Sequence, residues 1–369
     1  MKRISLCMIV RDEEDFLDRC LTSVKGIVDE ICVLDTGSED RTVEIAQQHG
    51  ARVESFEWCD DFAAARNAAL QMCTGDWILI LDADEQITTE LARKAFEVFM
   101  EQNADCAGTV WIDNETEGGD RSQVAITRFF PAGPEWKFEG CIHEQLTRNG
   151  TSPARANTRV RVQHDGYSRS TLVEKGKFER NERLLKAMIE RTPDDAYAWY
   201  QLGRTYFVGG RFEEALETFE GALERCPDDA PFIAHLLESS AYSLRALGRS
   251  RQALDWISSV ESDFRDRADT CFLVALLAMD VGELERAESG FKHCLTMAGK
   301  VPGGGESAPS ASSWAAAHNL GVLCEVVGRI DEATAHYRGA LMLSPTHTPS
   351  REGLDRVAVA SATGDEAAQ

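Results

Sequence analysis

Positive charge is scarce in this sequence. Its 369 residues include 39 lysines and arginines against 62 aspartates and glutamates, which gives a formal net charge of −23. Nucleic acids and anionic membrane surfaces attract basic patches, so this balance argues against both as partners. Long apolar runs are missing too, because Cys271 to Met279 falls far below the roughly 20 apolar residues of a membrane span. The amino terminus also lacks a small-residue cleavage site, so we expect a cytoplasmic protein without a membrane span.

Paired cysteines and glycine-rich loops are missing as well. The eleven cysteines are scattered singly without a C-x-x-C pair, which indicates neither a disulfide framework nor a cysteine zinc site. No G-x-G-x-x-G follows the first apolar run, so a dinucleotide-binding fold is not predicted. The turn there reads VRDEED instead of the basic phosphate loop that nucleotidyltransferases usually carry. The composition, 43% hydrophobic and 27% charged, fits a globular protein of two or three domains.

Before about residue 170, short apolar runs alternate with amphipathic segments. Such alternation is typical of βαβ units and predicts an α/β domain with a mainly parallel sheet. The later runs follow one another without helices of similar length between them, so we expect a mixed second half. The predicted strands are 4–10, 30–35, 51–56, 76–82, 106–112, 123–130 and 158–164.

The most informative stretch is GDWILILDADE, from Gly75 to Glu85. Its apolar part is too short for a helix and predicts a buried strand that delivers Asp82 and Asp84 to its carboxyl end. Ligands of open α/β sheets lie at that end, and Mg²⁺ favours one or two carboxylates together with phosphate oxygens. The pair therefore predicts a metal-bridged diphosphate. Two solvated acids at a strand end are the alternative that this motif alone leaves open.

Helical patterns begin near residue 171, and they repeat. Trp199, Leu202, Gly203 and Tyr206 begin the spacing W-x₂-L-G-x₂-Y…A-x₃-F…P of a tetratricopeptide repeat. Related offsets recur to give four units, and stacked repeats form a concave surface. We favour partner or acceptor binding there over a structural buttress or a dimer surface. The predicted domains are 1–170 (α/β), 171–192 (connecting helix), 193–347 (four repeats, with a flexible insertion at 300–313) and 348–369 (helical end and, after about Val357, a disordered tail).

Four segments of the first 170 residues together resemble a known enzyme family. They read SLCMIVRDEEDFLDRCLTSV, EICVLDTGSEDRTVEIA, FEWCDDFAAARNAAL and GDWILILDADE. The pattern resembles the family-2 nucleotide-sugar glycosyltransferases of the GT-A type. With the repeats, it resembles more narrowly the bacterial branch that includes the sublancin-type peptide S-glycosyltransferase and relatives of lipopolysaccharide-core glucosyltransferases. The expected fold is an α/β GT-A catalytic domain, with a Rossmann-like mixed sheet, followed by an all-α tetratricopeptide-repeat solenoid.

The resemblance implies a nucleotide pocket. The turn Arg11, Asp12 and Glu13 would line it, and Asp35 at the end of the second strand would accept hydrogen bonds from base or ribose. Arg66 would point at the nucleotide from its helix. Helix capping is the alternative role for Asp12 and Glu13, and a surface salt bridge is the alternative for Arg66.

The resemblance also implies a metal site and a base. Asp84 would bind the metal directly, Asp82 would contact metal or ribose, and His164 would complete the shell. Neutral imidazole beside carboxylates suits Mn²⁺ better than Mg²⁺. In FEGCIHEQL, Glu144 is the first choice for the base that takes the acceptor proton, and His143 would support or replace it. An edge-strand glutamate and packed or surface histidines are the alternatives.

Together these residues predict an inverting, metal-dependent glycosyltransferase. The donor would be a nucleoside-diphosphate sugar, expected to be a UDP-sugar, and the cofactor Mg²⁺ or Mn²⁺. A peptide or protein acceptor held by the repeats is favoured, and a lipopolysaccharide-core or other glycan is the first alternative. A non-catalytic repeat scaffold with a degenerate transferase domain is the second. A homodimer formed through the repeats stays open.

Overall fold

The computed structural model describes residues 2–115, 121–164, 171–298 and 311–367. The described chain divides into two compact units, with the boundary after Arg191. Each unit has its own apolar core. The helix that the sequence predicts as a connector after residue 170 therefore falls within the first unit.

The first unit is built on a sheet. Two central parallel strands have the apolar sequences ISLCMIV and WILI, because they are covered on both faces. The strands are β1 (Ile4–Val10), β2 (Glu30–Asp35), β3 (Arg52–Ser55), β4 (Trp77–Ile80), β5 (Glu85–Ile87), β6 (Ala107–Glu115), β7 (Arg121–Pro131), β8 (Trp136–Glu139), β9 (Gln145–Arg148) and β10 (Arg155–His164). The helices are α1 (Leu17–Ser23), α2 (Thr42–Gln48), α3 (Phe62–Met72), α4 (Ala92–Gln102) and α5 (Thr171–Arg191).

Eight strands form one mixed sheet in the order β3-β2-β1-β4-β7-β6-β10-β5, and β8 pairs with β9 in a separate hairpin. β3, β2, β1 and β4 run parallel, whereas β7 joins β4 in the antiparallel sense. Trp77 of β4 stacks on Phe129 of β7 with ring centroids 4.8 Å apart, which packs the two strands against each other. The carboxyl ends of the parallel strands meet at one edge, where ligands of such sheets bind.

All the strands predicted from the sequence occur, and the mixed second half is confirmed. Three short strands, β5, β8 and β9, are missing from that prediction. Their sequences EQI, WKFE and QLTR contain few apolar residues. β5, for example, owes its strand conformation to β10, which lies far away in the sequence. Local patterns do not report such pairing.

Helix pairs make up the second unit, and four pairs stand where the sequence predicts four repeats. Small residues let paired helices approach closely, as at Gly203, where an added Cβ would lie 2.4 Å from the ring of Phe219. The paired helices are α6 (Ala196–Val208) with α7 (Phe212–Leu223), α8 (Ile233–Ala246) with α9 (Ser250–Ser258), α10 (Ala268–Asp280) with α11 (Leu284–Thr296), and α12 (Trp314–Val326) with α13 (Ile330–Leu343). A final helix, α14 (Thr348–Ala367), packs on α13.

The end of the chain departs from the sequence-based expectation. α14 continues to Ala367 where a disordered tail is predicted after about Val357. Val357 is buried beside Tyr337, and the alanines that follow favour helix. The predicted insertion at 300–313 lies outside the described residues up to position 310. None of the helices in the described ranges has the length and hydropathy that a membrane span requires.

The last repeat offers a matched pair of glycines. A Cβ on Gly321 of α12 would lie 2.7 Å from two ring atoms of Tyr337, whereas one on Gly339 of α13 would meet no described atom within 4 Å. We expect Gly321→Ala to lower the free energy of unfolding of the second unit by about 1–3 kcal/mol, because the ring must move. Gly339→Ala should raise it by up to about 1 kcal/mol through helix propensity. Urea unfolding followed by circular dichroism measures both, and equal effects would contradict the close contact.

Candidate active site

Two carboxylates follow β4 where the chain turns into β5. Asp82 and Asp84 come directly after the buried run WILIL, and β5 begins at Glu85. β10 pairs with β5 in the antiparallel sense, and His164 lies opposite Glu85. This register brings Nε2 of His164 to 3.4 Å from Oδ2 of Asp84. Strand pairing thus joins an acid and an imidazole that are far apart in the sequence.

Asp82 lies between two arginines. Its Oδ1 accepts a hydrogen bond from Arg66 Nη2 at 2.9 Å, and its Oδ2 accepts one from Arg128 Nη2 at 2.7 Å. Arg128 Nη2 also donates to Glu85 at 2.6 Å, and the backbone N–H of Asp82 donates to the same glutamate at 2.9 Å. Arg66 comes from α3 and Arg128 from β7. A helix and an antiparallel strand therefore hold this carboxylate in place.

Two opposing effects act on the pKa of Asp82, and the effect of the neighbouring arginines is larger than that of burial. Burial alone would raise the pKa of this carboxyl, but Arg128 and Arg66 hold the pKa of Asp82 far below its usual range. Glu85 is 3% exposed, and its burial, together with the charge of Asp82, raises the pKa of Glu85 despite Arg128. Burial would lower the pKa of each arginine, but the carboxylates raise it. Asp82 is therefore an anion clamped by two cations.

A single guanidinium joins Asp82 to the segment that carries Glu144. Arg66 donates from Nε to Glu144 and from Nη2 to Asp82. The side chains of Arg66 and Glu144 are 10% and 13% exposed. The N–H of Phe62, at the start of α3, donates to the carbonyl oxygen of Cys141 at 2.8 Å. α3 therefore positions the arginine and also anchors the loop that holds the candidate base.

Strained backbone occurs at two of the predicted site residues. Asp12 and His143 both have φ of 52°, which is uncommon for residues other than glycine and concentrates at functional sites. Asp12 is held there because its carboxylate accepts from the N–H of Glu39 at 2.7 Å and its own N–H donates to Ser38 Oγ at 2.9 Å. α1 is preceded by Phe16 and has no side-chain cap. Helix capping by the negative charge of Asp12 and Glu13 stays the alternative role of this turn.

These side chains line one cavity of about 1140 Å³ within the first unit. Its volume lies slightly above the roughly 300–1,000 Å³ of most small-molecule sites. Asp35 is not among the described lining residues; its carboxylate accepts from the N–H groups of Gly37 and Ser38 at 3.2 Å. Its contact with base or ribose stays a prediction. The other predicted residues all line the cavity: Arg11, Asp12, Glu13, Arg66, Asp82, Asp84, His143, Glu144 and His164.

The sequence-based site lacks several residues that the structure brings to this cavity or its network. Arg128 is the clearest, since it lies within the run QVAITRFF and its side chain is 11% exposed. A charged side chain that is buried in a mostly apolar strand requires an oppositely charged partner. The position of Arg128 in this strand was therefore the feature of the sequence that could have indicated its role. Trp58, Phe62 and Arg180 also line the cavity. Arg180 belongs to α5, which no motif of the sequence connects with the site.

Asp84 and His164 suit a divalent metal ion. A carboxylate beside an imidazole is a donor set that Mn²⁺ accepts, and donor phosphate oxygens would complete the shell. The hydrogen bond with Asp84 raises the pKa of His164, although burial opposes the shift. In the described ranges no group of three or more His, Cys, Asp or Glu side chains could hold a metal. The residues therefore fit a site with two protein ligands, and Asp82 as a third ligand stays a prediction.

Known proteins share both parts of this architecture. Residues 5–156 match the family model of glycosyl transferase family 2, and residues 170–230 match a tetratricopeptide repeat. A TPR repeat-containing protein of Synechococcus elongatus is 40% identical over 211 residues, which cover 55% of this chain and 52% of the relative. The SPbeta prophage-derived glycosyltransferase SunS of Bacillus subtilis is 31% identical over 220 residues, covering 58% of this chain and 51% of the relative. The chain thus spans about half the length of these relatives.

The family match contains Asp82, Asp84 and Glu144, and it ends before His164 and α5. The fold predicted from the sequence, a mixed α/β sheet followed by helical repeats, is confirmed. The amino-terminal part of this chain is therefore a glycosyl transferase family 2 domain, and tetratricopeptide repeats follow it.

Proposed function

We propose that the chain is an inverting, metal-dependent glycosyltransferase that moves a sugar from a nucleoside diphosphate, expected to be UDP, to a peptide or protein. One observation carries the proposal. A single cavity contains the Asp84–His164 pair. The same cavity contains Asp82 and Glu144, which both form ion pairs with Arg66. A metal site for the diphosphate and a base for the acceptor are the two elements that such a transfer requires. The family match and the glycosyltransferase relative support the reaction class.

Each group of cavity residues has a separate role in the proposed reaction. Asp84 and His164 would hold Mg²⁺ or Mn²⁺, which when bound neutralises charge on the leaving diphosphate. The turn from Arg11 to Glu13 binds the nucleoside end of the donor. Glu144 takes the proton of the acceptor hydroxyl or thiol as that atom attacks the anomeric carbon. Arg66 fixes the position of Glu144 relative to Asp82, which reduces the orientational cost of the reaction.

A peptide or protein acceptor is proposed because stacked helix pairs form the second unit. Such arrays offer extended surfaces that bind polypeptide segments. Dimer formation through the repeats and a cytoplasmic location stay predictions from the sequence.

The first test is turnover of a panel of nucleotide sugars by the full chain with Mg²⁺, Mn²⁺ or a chelator. We expect slow, metal-dependent hydrolysis of one donor, and a loss of about 100-fold or more in Asp84→Ala because a metal ligand is removed. Asp18→Ala is the matched control. Its carboxylate is 70% exposed, pairs with His49 and lies outside the set of cavity residues.

Calorimetry on the same samples separates an enzyme from a scaffold. Metal-dependent nucleotide binding without hydrolysis would indicate an enzyme that waits for its acceptor. If the native chain neither hydrolyses nor binds any donor, the proposal is wrong and a non-catalytic repeat scaffold is favoured. Unchanged turnover in Asp84→Ala would remove this residue from the metal site.

A further inference from the structure

One wall of the cavity includes α5, a helix that lies beyond the glycosyl transferase family 2 match and within the tetratricopeptide-repeat match. Trp58 and Phe62 meet edge to face with ring centroids 4.8 Å apart. The guanidinium of Arg180 lies over the ring of Phe62, 5.1 Å from its centroid, and also donates to Asn181 Oδ1 at 3.2 Å. All four side chains line the cavity. We call Trp58, Phe62, Arg180 and Asn181 the aromatic wall.

Contacts behind the aromatic wall keep it in place. Both carboxylate oxygens of Asp60 accept hydrogen bonds from Arg183 of α5 at 2.8 Å, and Asp60 also accepts one from Trp58 Nε1 at 3.0 Å. Asp60 has φ of 61°, a conformation that persists only where the surroundings require it. The Arg183–Asp60 pair is exposed and restrains the wall only weakly, whereas the hydrogen bond to Asp60 orients the indole of Trp58, which reduces the entropy that this ring must lose when a ligand binds.

The aromatic wall stands beside the proposed base. The N–H of Phe62 donates to the carbonyl oxygen of Cys141, and the Cys141 thiol lies 3.9 Å from the carbonyl oxygen of Leu184 in α5. The same loop continues to Glu144, which lines the cavity with the wall. An acceptor must bring its nucleophilic atom within hydrogen-bond reach of the base. The wall therefore flanks the path by which the acceptor arrives.

We propose that the aromatic wall is the acceptor subsite, and that it selects peptides whose nucleophilic residue is flanked by acidic side chains. This inference rests on the function proposed above. A guanidinium held over an aromatic ring presents its donors in fixed directions and forms charge-assisted hydrogen bonds with carboxylates. The net charge of −23 disfavours acidic ligands over the chain as a whole. Recognition of an acidic peptide consequently depends on cations that line the cavity itself, and Arg180 is the one that belongs to the aromatic wall.

The test uses the full chain, the donor identified by the panel, and two synthetic peptides. Both peptides contain Ser, Thr and Cys in the same order, and they differ only in flanking aspartates or lysines. Mass spectrometry measures transfer, and inhibition of donor hydrolysis measures occupancy of the subsite by a peptide that accepts no sugar. We expect the acidic peptide to be preferred by about tenfold, the effect of one charge-assisted hydrogen bond.

Arg180→Gln should reduce that preference to within about twofold, mainly through KM, since only one hydrogen-bonded charge is lost. The preference is the ratio of the transfer rates to the two peptides, so a change that affects donor hydrolysis equally with both peptides does not alter it. Trp58→Ala should weaken both peptides alike, because ring contacts do not depend on charge. Lys186→Gln is the matched control, since this lysine of α5 pairs with Glu182, is 53% exposed and lies outside the set of cavity residues. It should leave both hydrolysis and the preference unchanged.

Equal use of the two peptides by the native chain, or a preference that Arg180→Gln retains, would overturn the proposal. So would an acidic peptide that neither accepts sugar nor inhibits hydrolysis at millimolar concentration. If sugar is transferred to glucose 6-phosphate but to neither peptide, the proposal is overturned and the acceptor is a phosphorylated sugar. A chain that neither hydrolyses nor binds any donor overturns the proposed function and this subsite with it, an outcome distinct from loss of peptide preference alone.

Discussion

Replacing Arg128 by methionine is expected to lower the free energy of unfolding of the first unit by about 3–5 kcal/mol. The change removes the guanidinium that binds Asp82 and Glu85. Glu85, which is 3% exposed, is then left as a buried carboxylate without its cation. Methionine fills much of the same space, so lost charge pairing dominates the effect. Hydrogen exchange of the β4 and β7 amides measures the loss within this unit.

Two further variants test the interpretation of that loss. Arg41→Met removes an arginine whose partner is Glu44, and the two side chains are 65% and 55% exposed. An exposed pair of this kind contributes little to stability, because solvent screens the two charges. Adding Glu85→Gln to Arg128→Met should recover part of the stability, because the amide leaves no buried charge. If Arg128→Met costs no more than Arg41→Met, the buried network does not stabilise the domain.

Glu144→Gln is expected to slow glycosyl transfer to the acceptor by about 10²–10⁴-fold, because an amide cannot take the acceptor proton. Glutamine matches glutamate in size, and its oxygen can still accept the hydrogen bond from Arg66 Nε. Asp82 should therefore stay in place, and nucleotide affinity should change little. Single-turnover transfer at saturating donor, together with calorimetry of nucleotide binding, separates the two properties.

His143→Gln is the companion variant. His143 lies next to Glu144 and lines the same cavity. If Glu144→Gln transfers sugar at the native rate while His143→Gln does not, the imidazole is the base. If both variants transfer normally, the base comes from elsewhere in the cavity or from the acceptor itself.

Three of the parallel strands, β1, β2 and β4, were predictable from the sequence because they are largely buried. These strands are mostly apolar and are bounded by charged or turn residues. That pattern places Asp82 and Asp84 at a strand end without further information. The resemblance added the roles of Glu144 and His164, which no local pattern supplies.

The rest of the site depends on contacts between distant segments. His164 reaches Asp84 only because β10 pairs with β5, a strand too short and too polar to predict. Arg128 occupies a strand position whose partners, Asp82 and Glu85, become neighbours through the pairing of β7 with β4. Arg180 meets Phe62 because α5 packs on the loop before β9 and on the start of α3. Periodicity within one segment contains none of this information.

Arg66 shares its charge between two carboxylates that have different fates in the proposed reaction. Before transfer it partly neutralises both Asp82 and Glu144. When Glu144 takes up the acceptor proton, its negative charge disappears, and the arginine keeps one anionic partner. The potential in the cavity would then become more positive just as the departing diphosphate gains negative charge, and the two charges attract each other. In the proposed reaction, deprotonation of the acceptor and release of the donor would thereby be linked through one side chain.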